Sequence, residues 1–202
     1  MPGYFLKRPL DVLLTVAVLP VAAPLLALAA GAAWLGGLRP VLFRQDRPGL
    51  NGVLFTCIKL RTMTNARDSA TGALLPDAAR LTAVGRWLRK TSLDELPQLW
   101  HVLTGEMSLV GPRPLLPEYL PLYSARQARR HLVRPGITGW SQVNGRNARP
   151  WPARLEMDAW YADNLSLRLD LRLLGFTLKH LLRPRGVSAP GEATVAPFQG
   201  EM

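Results

Sequence analysis

Two adjacent carboxylates, Asp94 and Glu95, stand in the stretch Ser92-Leu93-Asp94-Glu95-Leu96-Pro97-Gln98-Leu99, ahead of an apolar run with Leu99, Trp100 and Leu103. Pro97 suits a first helical turn, which places Asp94 at or beside an N-cap, where free backbone N–H groups and the helix dipole favour anions. A phosphate can share that end with a metal held by the carboxylates. The segment also has an ordinary reading, a capping box of Ser92 with Glu95 and a plain N-cap at Asp94, and taken alone it favours that reading. In Val110-Gly111-Pro112-Arg113-Pro114, two prolines pin the backbone around one guanidinium, which suits bidentate phosphate contact as well as it suits a turn with a solvated arginine. Lys59 and Arg61 share a face if Ile58–Met63 is extended, so they fit either a diphosphate or a solvated edge. Gly136, Gly139 and Gly145 frame Gln142, Asn144 and Arg146, polar side chains at alternate positions that suit a nucleotide base or sugar, or the outer face of a hairpin.

Other chemistries fall away. The three histidines, His101, His131 and His180, are far apart, and no His-Glu-x-x-His, Walker or dinucleotide pattern occurs. The single cysteine, Cys57, excludes an intrachain disulfide framework and fits a core position in a strand.

The elements that must carry these residues follow from patterning. Val41–Phe43 and Val53–Ile58 favour strands, and Arg47-Pro48-Gly49-Leu50-Asn51-Gly52 between them has turn chemistry, so a hairpin is expected. Residues 65–80 read as a loop or short helix. Leu81, Val84 and Leu88 have helical spacing, and residues 118–133 are expected to be helical up to Pro135-Gly136. Leucines alternate with polar residues from Leu165 to Leu173, a strand pattern, yet the continuation to Leu182 favours a helix with a broad leucine face, suited to a membrane interface or to core packing.

The N-terminal region differs from the rest. Val12 to Leu38 is a run of 27 residues without a charge, long enough to cross a bilayer core and too long for the apolar part of a signal peptide. Pro20 and Pro24 interrupt it, and cations flank both ends: Lys7 and Arg8 before, Arg39, Arg44 and Arg47 after. Cations mark the cytoplasmic side, so a helix bent at the prolines and returning to its own face competes evenly with a kinked single span. The net charge of +11 divides into +1 over residues 1–38 and +10 over the remaining 164. A basic domain tied to an apolar segment points to anionic head groups or phosphorylated substrates, with nucleic acid a distant second.

Taken in order, several blocks resemble the bacterial sugar transferase family, the monotopic phosphoglycosyl transferases. They are Lys7-Arg8-Pro9-Leu10-Asp11; Phe55-x-x-x-Lys59-Leu60-Arg61-Thr62-Met63; Leu93-Asp94-Glu95-Leu96-Pro97-Gln98; Met107 through Pro114; and Pro135-Gly136-Ile137-Thr138-Gly139-Trp140-x-Gln142, followed by Asn144-Gly145-Arg146 and Asp158-x-x-Tyr161. The resemblance spans Lys7 to Leu182. It implies transfer of a sugar-1-phosphate from a UDP-sugar to a polyprenol (undecaprenyl) phosphate with release of UMP, the first membrane step of glycoconjugate assembly. It implies Asp94 as nucleophile of a covalent phosphosugar enzyme, and Glu95 as its helper with Mg²⁺ and protons. Lys59, Arg61 and Arg113 are then expected on phosphates, and Gln142, Asn144 and Arg146 near the nucleotide sugar. The resemblance also implies a re-entrant helix broken at a Ser-Pro pair; Pro24 matches the break, Ala23 replaces the serine, and Pro20 adds to the bend.

The resulting expectation is an α/β, helix-rich chain with a small β-hairpin or sheet and interfacial amphipathic helices. Residues 1–38 would form the membrane-inserted re-entrant helix, 39–186 a catalytic domain, and 187–202 a flexible tail. The expected place is the cytoplasmic face of the bacterial inner membrane, with membrane lipid as partner, no nucleic acid, and room for a homo-oligomer. The rival is a non-enzymatic, membrane-anchored basic protein that binds anionic lipid or nucleic acid and has no use for Asp94 and Glu95.

Overall fold

A computed structural model describes residues 4–145, 149–182 and 196–200. Helix α1 (Lys7–Leu35) is followed by strands β1 (Leu42–Pro48) and β2 (Leu54–Leu60). Then come α2 (Asp77–Arg80), α3 (Ala83–Thr91), a 3₁₀ segment at Leu93–Gln98 and α4 (Leu99–Thr104). Strand β3 (Ser108–Val110), α5 (Ala125–Ala128), strand β4 (Gly136–Thr138), α6 (Trp140–Val143), α7 (Trp151–Asp163) and α8 (Leu167–Leu182) complete the order. The chain is thus helix-rich with two small sheets.

The hairpin forms as the turn chemistry requires. β1 and β2 pair antiparallel from Leu42↔Leu60 to Pro48↔Leu54, and Asn51 and Gly52 take positive φ in the connection. β3 and β4 pair in parallel instead, Ser108 opposite Gly136 and Val110 opposite Thr138. The glycines permit this approach: a Cβ on Gly136 would stand 2.0 Å from the Gly111 nitrogen. The segment from Gly136 to Gly145 is therefore a buried parallel strand leading into α6, and the polar-faced hairpin alternative does not form.

One other expectation changes and one is met. Residues 118–133 are not one helix: a 3₁₀ segment at Pro117–Leu122, α5 and a second 3₁₀ turn at Arg129–Leu132 replace it. Pro121 removes a donor, and Ser124 starts anew with a complete capping box to Gln127. The alternating leucines of 165–173 fall on the helical side. α8 buries Asp170 and Leu173, three residues apart, while Leu171 and Leu178 are exposed.

Helix α1 runs through Pro20 and Pro24 without a gap in helical conformation, so the anticipated break is confined to the backbone donors that two prolines lack. Its buried residues, Asp11, Thr15, Ala22, Ala29 and Ala33, recur at intervals of four or seven and form one stripe against the rest of the chain. At the N-terminal end, Lys7 binds Asp170 (2.6 Å), Arg8 donates to the Val102 and Leu103 carbonyls, and Asp11 accepts from the Leu109 N–H. At the other end, Ala29, Ala33 and Leu38 pack with Leu60 and Leu88. The outward side carries exposed Leu13, Val16, Val21, Leu25, Leu28 and Leu35. Both ends of the apolar helix are thereby fastened to the same body.

The C-terminal part also departs from expectation. Phe198 is 4% exposed and packs with Leu115, Tyr119 and Leu155, and the Trp151 indole donates to the Ala196 carbonyl (2.9 Å). Residues 196–200 are a docked segment, where a flexible tail is the sequence expectation; 183–195 and 201–202 lie outside the described residues.

Candidate active site

The acidic pair sits at a sharp junction. α3 ends at Ser92, a non-glycine residue in the left-handed region (φ 58°), and the chain turns at once into the 3₁₀ segment that holds Asp94, Glu95 and Pro97. The Ser92 side chain caps nothing, and α4 starts only at Leu99, after Pro97. The capping-box reading therefore fails, and so does the placement of Asp94 at an α-helical N-cap.

Glu95 turns toward distant cations instead. Its Oε1 lies 2.8 Å from Lys59 Nζ on β2 and 2.6 Å from Arg113 Nη2 in the Pro-bracketed loop after β3. The rigidity of that loop is used as expected, though the first partner of Arg113 is a carboxylate of the chain. Burial alone would raise the pKa of Glu95, but Arg113 and Lys59 outweigh it and hold the carboxyl well below the usual range. Arg113 is raised in turn, chiefly by Glu95.

Asp94 contrasts with its neighbour. Among the described residues no hydrogen bond reaches its carboxylate, which is 9% exposed. Burial first, then the charge of Glu95, push its pKa up to about 6 from an ordinary 3.8, against the opposing pull of Lys59, Arg113 and Arg89. Two neighbouring carboxylates thus have opposite characters: one locked as an ion-paired anion, the other with free oxygens and a proton affinity set near neutrality. Such divergence marks a division of roles.

Both carboxylates line a cavity of about 1010 Å³. Lys59, Arg61, Arg113 and Gln142 line it too, as do Arg47, which the sequence places only in a turn and among the flanking cations, and Arg80, Arg89 and Arg154, which sequence patterning leaves unremarked. Arg61 donates to the Pro40 carbonyl and to Asn65, and Arg89 to Thr62. Gln142 donates to the Ile137 carbonyl, while its buried Oε1 has no partner among the described residues. Asn144 is turned away: its amide donates to the Trp140 carbonyl, and it does not line the cavity. Arg146 lies outside the described residues. Leu25 of α1 reaches the same cavity, so the cationic space adjoins the apolar helix.

The Asp158-x-x-Tyr161 motif is structural. Asp158 accepts from Arg130 (2.8 Å) and Ser141 (2.6 Å), tying α7 to α6 and to the turn at Arg129–Leu132. The Tyr161 hydroxyl stands 2.7 Å from Asp170, whose other oxygen binds Lys7 and Tyr4. Asp170 is the missed residue with the clearest sequence signal, a carboxylate inside a leucine face.

The donor set suits Mg²⁺ in part. This ion takes one or two carboxylates, keeps water and completes its shell with substrate phosphates. Asp94 offers free oxygens for it; Glu95 joins only by yielding a cation already bound. No cluster of three acidic, histidine or cysteine side chains occurs among the described residues, so substrate oxygens would have to complete the shell.

Comparison with known proteins places the chain in a family. The family model described as bacterial sugar transferase matches residues 3–184. The chain is 56% identical over 161 residues to the uncharacterized sugar transferase EpsL of Bacillus subtilis, covering 80% of this chain and 79% of that one. It is 43% identical over 191 residues to the UDP-glucose:undecaprenyl-phosphate glucose-1-phosphate transferase of Caulobacter vibrioides (87% and 69%). It is 38% identical over 201 residues to the undecaprenyl-phosphate galactose phosphotransferase of Salmonella typhimurium, covering 90% of this chain but only 41% of that longer protein.

Proposed function

The chain belongs to the bacterial sugar transferase family, and we propose that it is a phosphoglycosyl transferase that moves a sugar-1-phosphate from a UDP-sugar to undecaprenyl phosphate or a similar polyprenol phosphate. The observation that carries this reading is the contrast between Asp94, buried with free carboxylate oxygens, and Glu95, held by Lys59 and Arg113. A non-enzymatic basic anchor has no need for that arrangement.

In the first step an Asp94 oxygen attacks the sugar-bearing phosphorus of the donor. A new P–O bond forms, the bond to the bridging oxygen breaks, and its electron pair leaves with UMP. In the second step a phosphate oxygen of the polyprenol phosphate attacks the same phosphorus and the Asp94 carboxylate departs, giving the polyprenyl-diphosphate sugar. Lys59 and Arg113, fixed by Glu95, present positive charge where the diphosphate gains negative charge in the transition state. Gln142 supplies a free acceptor for a hydroxyl or N–H of the nucleotide sugar. Mg²⁺, held by Asp94 together with substrate phosphates, would neutralise further phosphate charge.

Helix α1 bears on the membrane arrangement. A straight helix of this length is about 44 Å long at about 1.5 Å per residue, enough to cross a bilayer. Yet both its ends, and the stripe between them, bind one catalytic body. This supports a monotopic, re-entrant placement at the cytoplasmic face of the inner membrane, with Leu13, Val16, Val21, Leu25 and Leu28 toward lipid. Exposed Trp34, Trp87 and Trp100 suit the head-group level.

The test is UMP release across a panel of UDP-sugars with polyprenol phosphate present. The wild type should release UMP with at least one donor, and Asp94→Asn should not. UMP release at the full rate by Asp94→Asn would overturn the reading.

A further inference from the structure

Arg154 is a half-buried cation that forms no ion pair among the described residues. It lies in α7, lines the cavity, and its Nη1 is buried with no hydrogen-bond partner. Its nearest candidate counter-ion is Asp158, one turn later on the same helix. Both oxygens of that carboxylate are taken, Oδ2 by Arg130 and Oδ1 by Ser141. Burial lowers the pKa of Arg154, which means that its charge is held there at a cost that the described residues do not fully offset. An unpaired guanidinium on a cavity wall near Arg113 is a site for an anionic group of the occupant.

The orientation of this guanidinium is fixed from behind. Arg154 stacks on the Trp151 ring at 4.1 Å. Trp151 in turn packs at 5.7 Å against both Tyr119 and Phe198, and its indole N–H donates to the Ala196 carbonyl. The docked segment 196–200 therefore forms the outer wall of an aromatic stack whose inner member is the cavity arginine.

We infer that Arg154 binds a diphosphate oxygen of the nucleotide-sugar donor, and that Phe198 is a positioning residue that sets this contact through Trp151. The inference rests on the proposed donor class but concerns a part of the cavity apart from the reacting carboxylate. Arg154 touches the donor; Phe198 acts only through the stack.

The experiment titrates UDP into the full-length chain in lipid nanodiscs by calorimetry, alongside UMP-release kinetics. Arg154→Met should weaken UDP binding by about 10- to 100-fold, the range for a charge-assisted hydrogen bond, and raise the donor KM while leaving the acceptor KM unchanged. Arg154→Lys should recover part of the loss and serves as the readout if the methionine variant does not fold. Phe198→Ala should weaken UDP about 2- to 10-fold, Phe198→Tyr should restore it, and the double variant Arg154→Met/Phe198→Ala should be no worse than Arg154→Met alone. The inference is overturned if the wild type does not bind UDP, if Arg154→Met binds it as the wild type does, or if the Phe198→Ala loss adds in full. Wild-type UDP binding without UMP release from any donor would sink the proposed function and leave the subsite standing; normal turnover with UDP binding indifferent to Arg154 would do the reverse.

Discussion

Replacing Glu95 by Gln changes one charge and should move the titration of its neighbour. Burial and the neighbouring charge of Glu95 push the Asp94 pKa up to about 6 from an ordinary 3.8. Burial is the largest cause and survives the substitution; the charge of Glu95 is the second and does not. Charges about 4 Å apart interact by about 4 kcal/mol at an effective dielectric of about 20, and by about 2 kcal/mol at twice the distance. Even the smaller figure is worth more than one pH unit. Glu95→Gln also leaves Lys59 and Arg113 without the carboxylate they bind at 2.8 and 2.6 Å, so both act more strongly on Asp94. The pKa of Asp94 should therefore fall from about 6 by at least one unit. The assay is a carbon-NMR titration of ¹³C-labelled aspartate, with the Asp94 signal assigned by its loss in Asp94→Asn; it does not depend on residual activity. The sign is fixed by the chemistry: a nucleophilic carboxylate must be ionised, so wild-type activity should fall as pH drops through about 6, and any activity left in Glu95→Gln should persist to lower pH. An Asp94 pKa that stays near 6 or rises in Glu95→Gln would refute the claimed division between the two carboxylates.

Further outcomes follow from the same contacts. Lys59→Met removes a cation that lowers the Asp94 pKa, so the acid limb of the pH–rate profile should move upward, the opposite of Glu95→Gln. Arg130→Met leaves Asp158 buried and unpaired; about 3–5 kcal/mol of stability should be lost, read by chemical denaturation. Gly85→Ala would place a Cβ 1.8 Å from the Thr62 carbonyl oxygen, so α3 and the segment just after β2 must separate, and both melting temperature and activity should fall. Chelation of divalent ions should abolish UMP release and added Mg²⁺ should restore it, measured on one preparation. Single cysteines at Lys7 and Arg39 in a Cys57→Ala background should be labelled from the same side of sealed vesicles; labelling from opposite sides would contradict the monotopic placement.

Local chemistry was the legible part of the fold. The β1–β2 hairpin was readable because its turn residues and β-favouring runs lie within 19 residues, from Leu42 to Leu60. Helix α3 was readable because its spacing is local as well. The segment 118–133 has a periodic apolar pattern that predicts one helix, yet Pro121 and the Ser124 cap break it into short turns. The types of Asp94 and Glu95 were visible, but their opposite roles were not, since Lys59 and Arg113 lie 36 and 18 residues from Glu95. Asn144 has a suitable side chain at a suitable spacing, yet α6 turns it back onto the Trp140 carbonyl. Arg154 carries no signal in the sequence beyond its charge, because what distinguishes it is a guanidinium nitrogen left without a hydrogen-bond partner on a cavity wall. The resemblance located the carboxylates, whereas only the folded arrangement shows one of them free and the other held.

The central claim is that Asp94 carries the phosphosugar between donor and acceptor. Its most direct test is intact-protein mass spectrometry of the chain in nanodiscs with a turned-over UDP-sugar and no polyprenol phosphate. The account predicts a mass increase equal to one sugar phosphate, located at Asp94 by fragmentation, absent in Asp94→Asn, and discharged when polyprenol phosphate is added. Rapid turnover with no adduct under quenched conditions, or an adduct on another residue, would contradict it.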